Sequence, residues 1–152
     1  MTNPLRYVID TSVCIKQFIP DPLSPKVNQL FAHLANPQSE IFVPDLLYVE
    51  SANTLWKYVR AGRYDVNVAQ ANLASLKALP FYVVSTADLM AEAITIGLAY
   101  GISAYDACYV ALSEQVDAPL LTLDQKLVRA LATASYAIHS FSDFFVPPLS
   151  SP

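Results

Sequence analysis

Two patterns of apolar positions alternate along the chain. Short runs dense in branched and aromatic side chains have the length of buried strands. They are Tyr7-Val8-Ile9, Ile41-Phe42-Val43, Phe81-Tyr82-Val83-Val84, Leu120-Leu121-Thr122 and Tyr136-Ala137-Ile138. Between them apolar residues recur at three and four positions, as at Val27, Leu30, Phe31 and Leu34, which predicts helices. The predicted helices cover about 11–18, 24–34, 44–60, 66–79, 86–100, 103–115 and 125–132. Pro44 and Asp45 open the third of these, the proline pre-set for a first turn and the aspartate favoured there by the dipole. Leu55, Trp56 and Val59 on that helix read as core-facing. Gly62 and Gly101 stand where helices end.

Strands that alternate with helices predict an α/β fold, a three-layer α/β/α sandwich around a mostly parallel sheet. No repeat or linker divides the chain. One domain over residues 1–146 is expected, with a frayed tail over 147–152.

Composition changes this picture in a few places. Hydrophobic residues make up 54% and charged residues 14%, which excludes a disordered or solvating chain. A mean hydropathy of +0.35 also implies that a partner covers some apolar surface. No apolar run is long enough for a bilayer, and Met1-Thr2-Asn3-Pro4 lacks the basic and apolar regions of a signal peptide. A cytoplasmic protein with no membrane partner is expected. The three glycines, Gly62, Gly97 and Gly101, form no cluster, which excludes a dinucleotide fingerprint and a P-loop. Cys14 and Cys108 lie far apart among apolar residues and read as small buried hydrophobes. They make no zinc spacing with His33 and His139, which read as structural or surface residues.

The net charge is −4 and the pI about 4.9, which argues against a surface that binds nucleic acid everywhere by charge. A nuclease remains open, because carboxylates that hold a divalent metal lower the pI while the metal restores local positive charge. The positions of the acids therefore matter. Ligands of open α/β sheets bind at the carboxyl ends of the strands. Asp10 is the first residue after the first strand, and Asp124 lies two past the strand 120–122. Asp106 sits in the first turn of one helix, and Glu50 about one and a half turns into another. Each has an ordinary explanation. Asp124 has the place of an N-cap, Ser103 and Asp106 the spacing of a capping box, and Glu50 that of a solvent-facing residue. Asp10 is hardest to dismiss, because an unpaired carboxylate beside a buried strand costs several kcal/mol or shifts its pKa.

The residues around these acids resemble PIN-domain ribonucleases, and among them the VapC-type toxins of bacterial toxin–antitoxin pairs. The segment from Tyr7 to Phe18, with Asp10, Thr11 and Ser12, resembles their first motif. Pro44-Asp45-Leu46 through Glu50, with Asn53 one turn on, is similar to the second. Ile102 to Leu112 around Asp106 resembles the third, and Ala118 to Leu127 around Asp124 the fourth. The motifs occur in family order over nearly the whole chain. Gln17 departs from the family, standing where many relatives have an aromatic residue.

This resemblance implies that Asp10, Glu50, Asp106 and Asp124 are the catalytic, metal-holding acids, with Ser12, Asn53 and Thr122 as polar neighbours. Oxygen-only ligands select a hard cation, Mg²⁺ or Mn²⁺. The implied activity is endoribonucleolytic hydrolysis of RNA by metal-activated water, leaving a 5′-phosphate and a 3′-hydroxyl. Lys57, Arg60 and Lys16, with Arg63, are candidates for RNA phosphates; a solvated basic helix end is the other reading of the first two. Tyr105 and Tyr109 read as core or dimer contacts ahead of base-stacking residues. The expected partners are an RNA substrate, a second copy through helices around 99–112, and an antitoxin that presents an amphipathic helix and an arginine to the acids. A dehalogenase-type phosphatase needs a second aspartate where Ser12 stands. A non-catalytic PIN-like binding module and a housekeeping RNA-processing nuclease remain as alternatives.

Overall fold

The computed structural model describes residues 4–149; Met1–Asn3 and Ser150–Pro152, the last residues of the tail expected to fray, lie outside the described residues. Five parallel strands form one sheet. They are β1 (Arg6–Ile9), β2 (Glu40–Pro44), β3 (Tyr82–Val84), β4 (Leu120–Thr122) and β5 (Ile138–Ser140), in the order β3-β2-β1-β4-β5. Val8 pairs in register with Phe42 on one side and with Leu120 on the other. Val8, Ile9, Leu120 and Leu121 are fully buried, as expected of central parallel strands covered on both faces.

Seven α-helices connect and cover the strands: α1 (Thr11–Cys14), α2 (Ser24–Ala32), α3 (Leu46–Arg60), α4 (Val66–Ala78), α5 (Met90–Tyr100), α6 (Ala104–Val116) and α7 (Gln125–Ala130). The sheet grows from β1 through β2 to β3, then returns to β4 and grows the other way to β5. Right-handed crossovers therefore put α2, α3 and α4 on one face and α5, α6 and α7 on the other, a three-layer α/β/α sandwich. Among the described residues no helix is long and apolar enough to cross a membrane.

The structure departs from the sequence expectations at several points. Pro44 is the last residue of β2, in register with Val84, and does not open α3. Asp45 turns its carboxylate to the amide and hydroxyl of Thr86, at 2.8 and 2.5 Å, and so ties the ends of β2 and β3 together. That contact also divides the helix expected from residue 86. A single 3₁₀ turn, Thr86–Asp88, precedes α5. The first helix is likewise short, and Ile15–Gln17 continue it as a 3₁₀ turn. The last strand lies two residues later than expected; ahead of it the Tyr136 ring packs edge-on against Tyr100, and the Ala137 carbonyl already accepts the Leu120 amide.

Two corrections concern side chains. Trp56 is not core: it is 51% exposed, and Leu55 takes the buried position. The stretch Ala107–Leu112 is buried in the chain's own core, so it is not open to a second copy. The apolar residues left on this side are Met90, Ile94 and Leu98 along α5, with Tyr105 in the first turn of α6. After β5 the chain crosses α2, where Lys26 donates to the Phe141 carbonyl and His33 to the Pro147 carbonyl, at 2.5 and 2.7 Å.

Candidate active site

β1 and β4 are neighbours in the sheet, but their chains leave toward opposite faces. Such a switch point opens a crevice at the carboxyl edge, where ligands of this class of fold bind. Asp10 directly follows β1, and Asp124 lies just past β4, so the two acids flank this crevice. Asp106 arrives from the first turn of α6 and Glu50 from α3.

Asp10 is buried and held on both oxygens. Its Oδ1 accepts the Ser12 hydroxyl at 2.5 Å and the Val13 amide at 3.3 Å, the latter bond capping α1. Its Oδ2 accepts the Thr122 hydroxyl at 2.5 Å. Ser12 Oγ accepts the Leu123 amide at 2.9 Å, and Thr122 Oγ1 accepts the Asp124 amide at 3.0 Å. An amide can only donate, so both hydroxyl protons are left to point at Asp10. Burial pushes the Asp10 carboxyl up from its ordinary value to about 6; the hydrogen bonds oppose this rise, and the charge of Asp106 adds to it.

Glu50 is oriented by two hydroxyls. Its Oε1 accepts from Tyr109 at 2.6 Å and from Thr11 at 3.1 Å, and those two hydroxyls lie 3.0 Å apart. Burial, reinforced by the Glu50 charge, pushes the Tyr109 hydroxyl well above its usual range, so it stays a donor. Of the two expectations for Tyr109, core or dimer contact, the structure has the first: it is 2% exposed. Sequence reading missed the bond to Glu50, and it gave Thr11 no role. The available signal was spacing: Tyr109 follows Asp106 by three residues on one helix, and Thr11 follows Asp10 directly.

Asp124 keeps the ordinary role expected of it, whereas the capping box expected of Ser103 and Asp106 is half formed. Ser103 caps α6 by accepting the Asp106 amide at 3.1 Å. Asp124 Oδ1 caps α7 by accepting the amides of Lys126 and Leu127 at 3.0 and 3.2 Å. The Asp106 carboxyl is raised by burial first and then by the charges of Asp124 and Glu50. Asp106 is thus electrostatically coupled to each of the other three acids. Among the described residues no lysine or arginine is ion-paired with any of the four. Nor do any three Asp, Glu, His or Cys side chains among them close into a ready-made metal cage. In kind the donors fit a hard divalent cation: they are all carboxylate oxygens and lack a compensating positive charge.

The remaining predicted residues are more dispersed. Asn53, Lys57 and Arg60 are exposed on α3 beyond Glu50. The Arg60 guanidinium lies 5.2 Å from the centre of the Trp56 ring. Lys16 is ion-paired with Asp21 at 3.0 Å, which commits much of its charge within the chain.

The PIN-domain family model matches residues 7–131. The chain is 32% identical over 127 residues to ribonuclease VapC3 of Pyrobaculum aerophilum, covering 81% of this chain and 92% of that protein. It is similar to the crystal structure of PAE2754 from the same organism, with a TM-score of 0.67 and 25% identity, over 88% of this chain and 83% of that one. It shares the fold of a chain in a toxin–antitoxin complex from Klebsiella pneumoniae, with a TM-score of 0.61 and 14% identity, over 89% and 97% of the two chains. With its acids in order along the four motifs and its fold matched, the chain belongs to the PIN-domain family.

Proposed function

We propose that this protein is a divalent-metal-dependent endoribonuclease, the toxin of a type II toxin–antitoxin pair. The observation that carries this reading is Asp106, whose carboxyl is raised by burial first and then by Asp124 and Glu50, in a crevice where, among the described residues, no basic side chain is ion-paired with the acids. A divalent cation bound among these acids would compensate their charge. The ribonuclease VapC3 relative supports RNA as the substrate.

In this reading Asp10, Asp106, Asp124 and Glu50 hold Mg²⁺ or Mn²⁺. The bound ion supplies activation of water and neutralisation of charge on the phosphodiester. Ser12 and Thr122 fix Asp10 and keep their protons on it. Tyr109 and Thr11 occupy one oxygen of Glu50 and aim the other. Asn53 stands next to Glu50 on the open side of α3, and Lys57 and Arg60 bind phosphates of the RNA. Lys16 joins them only by leaving Asp21.

A homodimer would cover the exposed apolar side chains of Met90, Ile94, Leu98 and Tyr105. The shared fold with a chain from a toxin–antitoxin complex supports an antitoxin partner. A cytoplasmic setting accords with an RNA substrate. The test is incubation of the protein with closed circular single-stranded RNA in Mg²⁺. Linear product with 5′-phosphate and 3′-hydroxyl ends, absent in EDTA, is expected. Uncut circles beside degraded linear RNA would make the enzyme an exonuclease, and no turnover of either would return it to a binding module.

A further inference from the structure

We propose that Trp56 and Arg60 form a stacking subsite for an unpaired base of the RNA, beside the acidic crevice. This inference rests on the ribonuclease reading above.

The chain has one tryptophan, and α3 leaves half of it in solvent. The helix does not lack buried positions, since Leu47, Ser51 and Leu55 occupy them. Trp56 instead follows Asn53 by three residues and precedes Arg60 by four, so the three share one exposed ridge. Lys57 lies beside that ridge, two turns beyond Glu50 on the same side of the helix. With a rise of ~1.5 Å per residue, Trp56 stands about 9 Å along the axis from Glu50. Six residues at ~100° each also turn Trp56 about 120° around the axis from Glu50, so the base that would meet the indole is one further along a strand that leaves the acids over α3.

Charge favours a nucleic acid over a protein as the occupant. The sequence has nine lysines and arginines. Arg6 and Lys16 are committed to Glu40 and Asp21, and Lys26 to backbone carbonyls. Of the six others, none has a carboxylate partner among the described residues; Lys77, Lys126 and Arg129 lie elsewhere along the chain, whereas Lys57, Arg60 and Arg63 fall within seven positions. The one exposed tryptophan is thus flanked by unpaired cations in an otherwise acidic chain. The guanidinium already stacked beside the ring offers a second flat cationic surface. Aromatic planes interleaved with basic groups bind single strands, because every base has a π-face and every linkage a charge.

The lone tryptophan also makes the test direct. The Asp10→Asn chain, which should bind without cutting, is titrated with a fluorescein-labelled mixed-sequence single-stranded oligoribonucleotide. Anisotropy of the label reports binding. Indole emission, read with the unlabelled oligomer, reports stacking. Emission should be quenched in step with binding, whereas inorganic polyphosphate should bind without quenching. Adding Trp56→Ala should weaken the RNA about tenfold or more while the salt dependence stays the same. Trp56→Phe should restore part of the affinity. RNA that binds with unchanged emission, and equally well to the Trp56→Ala chain, overturns the subsite and leaves the ribonuclease reading intact. No binding at all overturns both. Emission that shifts with protein concentration in the absence of RNA, and not with RNA, places Trp56 between copies of the chain and also overturns the proposal.

Discussion

Thr122 donates its hydroxyl to Asp10 over 2.5 Å and accepts the amide that follows β4, so a single β-branched side chain fixes the acid on the neighbouring strand. Thr122→Val keeps the shape and removes the donor to Asp10 together with the acceptor of the Asp124 amide, of which only the first loss depends on pH. A hydrogen bond to a buried charge contributes about 1.5–3 kcal/mol, and the carboxylate left behind rises further in pKa. Thr122→Val should therefore lower stability by at least that amount at pH 8 in EDTA, and by less at pH 5, where Asp10 is protonated. Thr122→Ser should recover most of it. Chemical denaturation at the two pH values checks this.

The raised pKa of Asp10 has its own consequence for the metal-free protein. The folded carboxyl titrates at about 6 and its ordinary value is 3.8, so between these values the folded state binds more protons than the unfolded one. Stability from this group is then fully present below pH 3.8 and is lost as pH rises through 6. The loss amounts to about 3 kcal/mol. Asp106 is shifted in the same direction and adds to it. In EDTA the melting temperature should rise as pH falls from about 7 to 4.5, and Asp10→Asn should flatten most of that slope. An unchanged slope in the variant would remove Asp10 as its source.

Tyr109→Phe separates packing from orientation at Glu50. The ring stays in the core and only the hydroxyl that donates to Glu50 at 2.6 Å is lost. Stability should fall by about 1–2 kcal/mol. RNA cleavage at saturating substrate should fall by more than tenfold, with the Mg²⁺ concentration for half-maximal rate raised and RNA affinity unchanged. A loss confined to RNA affinity would place the hydroxyl on the substrate instead.

Gly97 seats the turn that launches Asp106. A Cβ there would lie 2.8 Å from the Ile102 carbonyl oxygen, whereas at Gly101 it would meet nothing and only the left-handed φ of 68° matters. Gly97→Ala should cost about 1–3 kcal/mol and shift the start of α6, lowering cleavage in step. Gly101→Asn should be tolerated within about 1 kcal/mol, since asparagine adopts this conformation more readily than most residues. Thermal melts and cleavage rates of the two variants, side by side, are the check.

Strand and helix order was legible because buried parallel strands leave dense short runs and amphipathic helices leave spaced ones. Element ends were less so. Pro44 suits either a helix start or a strand end, and only its pairing with Val84 decides between them. Asp10 and Asp124 stand out in the sequence because each comes just after a strand, whereas Asp106 and Glu50, inside helices, are singled out only by the motifs around them. The hydroxyls that hold Glu50 were not legible, because Thr11 and Tyr109 meet only when α1 and α6 are brought together. Trp56 shows the limit of apolarity as a signal. The helical pattern admits it to the core, and Leu55 fills the place it was expected to share.

If these acids together hold a divalent metal, titration with Mn²⁺ should raise the melting temperature of the protein. An ion bound only to the folded state stabilises it by about 2.7 kcal/mol at a hundredfold excess over the dissociation constant. For a chain of this size that is a rise of roughly 5–10 °C. The wild type should show this saturable rise, and Asp10→Asn and Asp106→Asn should lose it while still folding. No rise in the wild type, or an equal rise in both variants, would mean that the acids do not form a shared metal site.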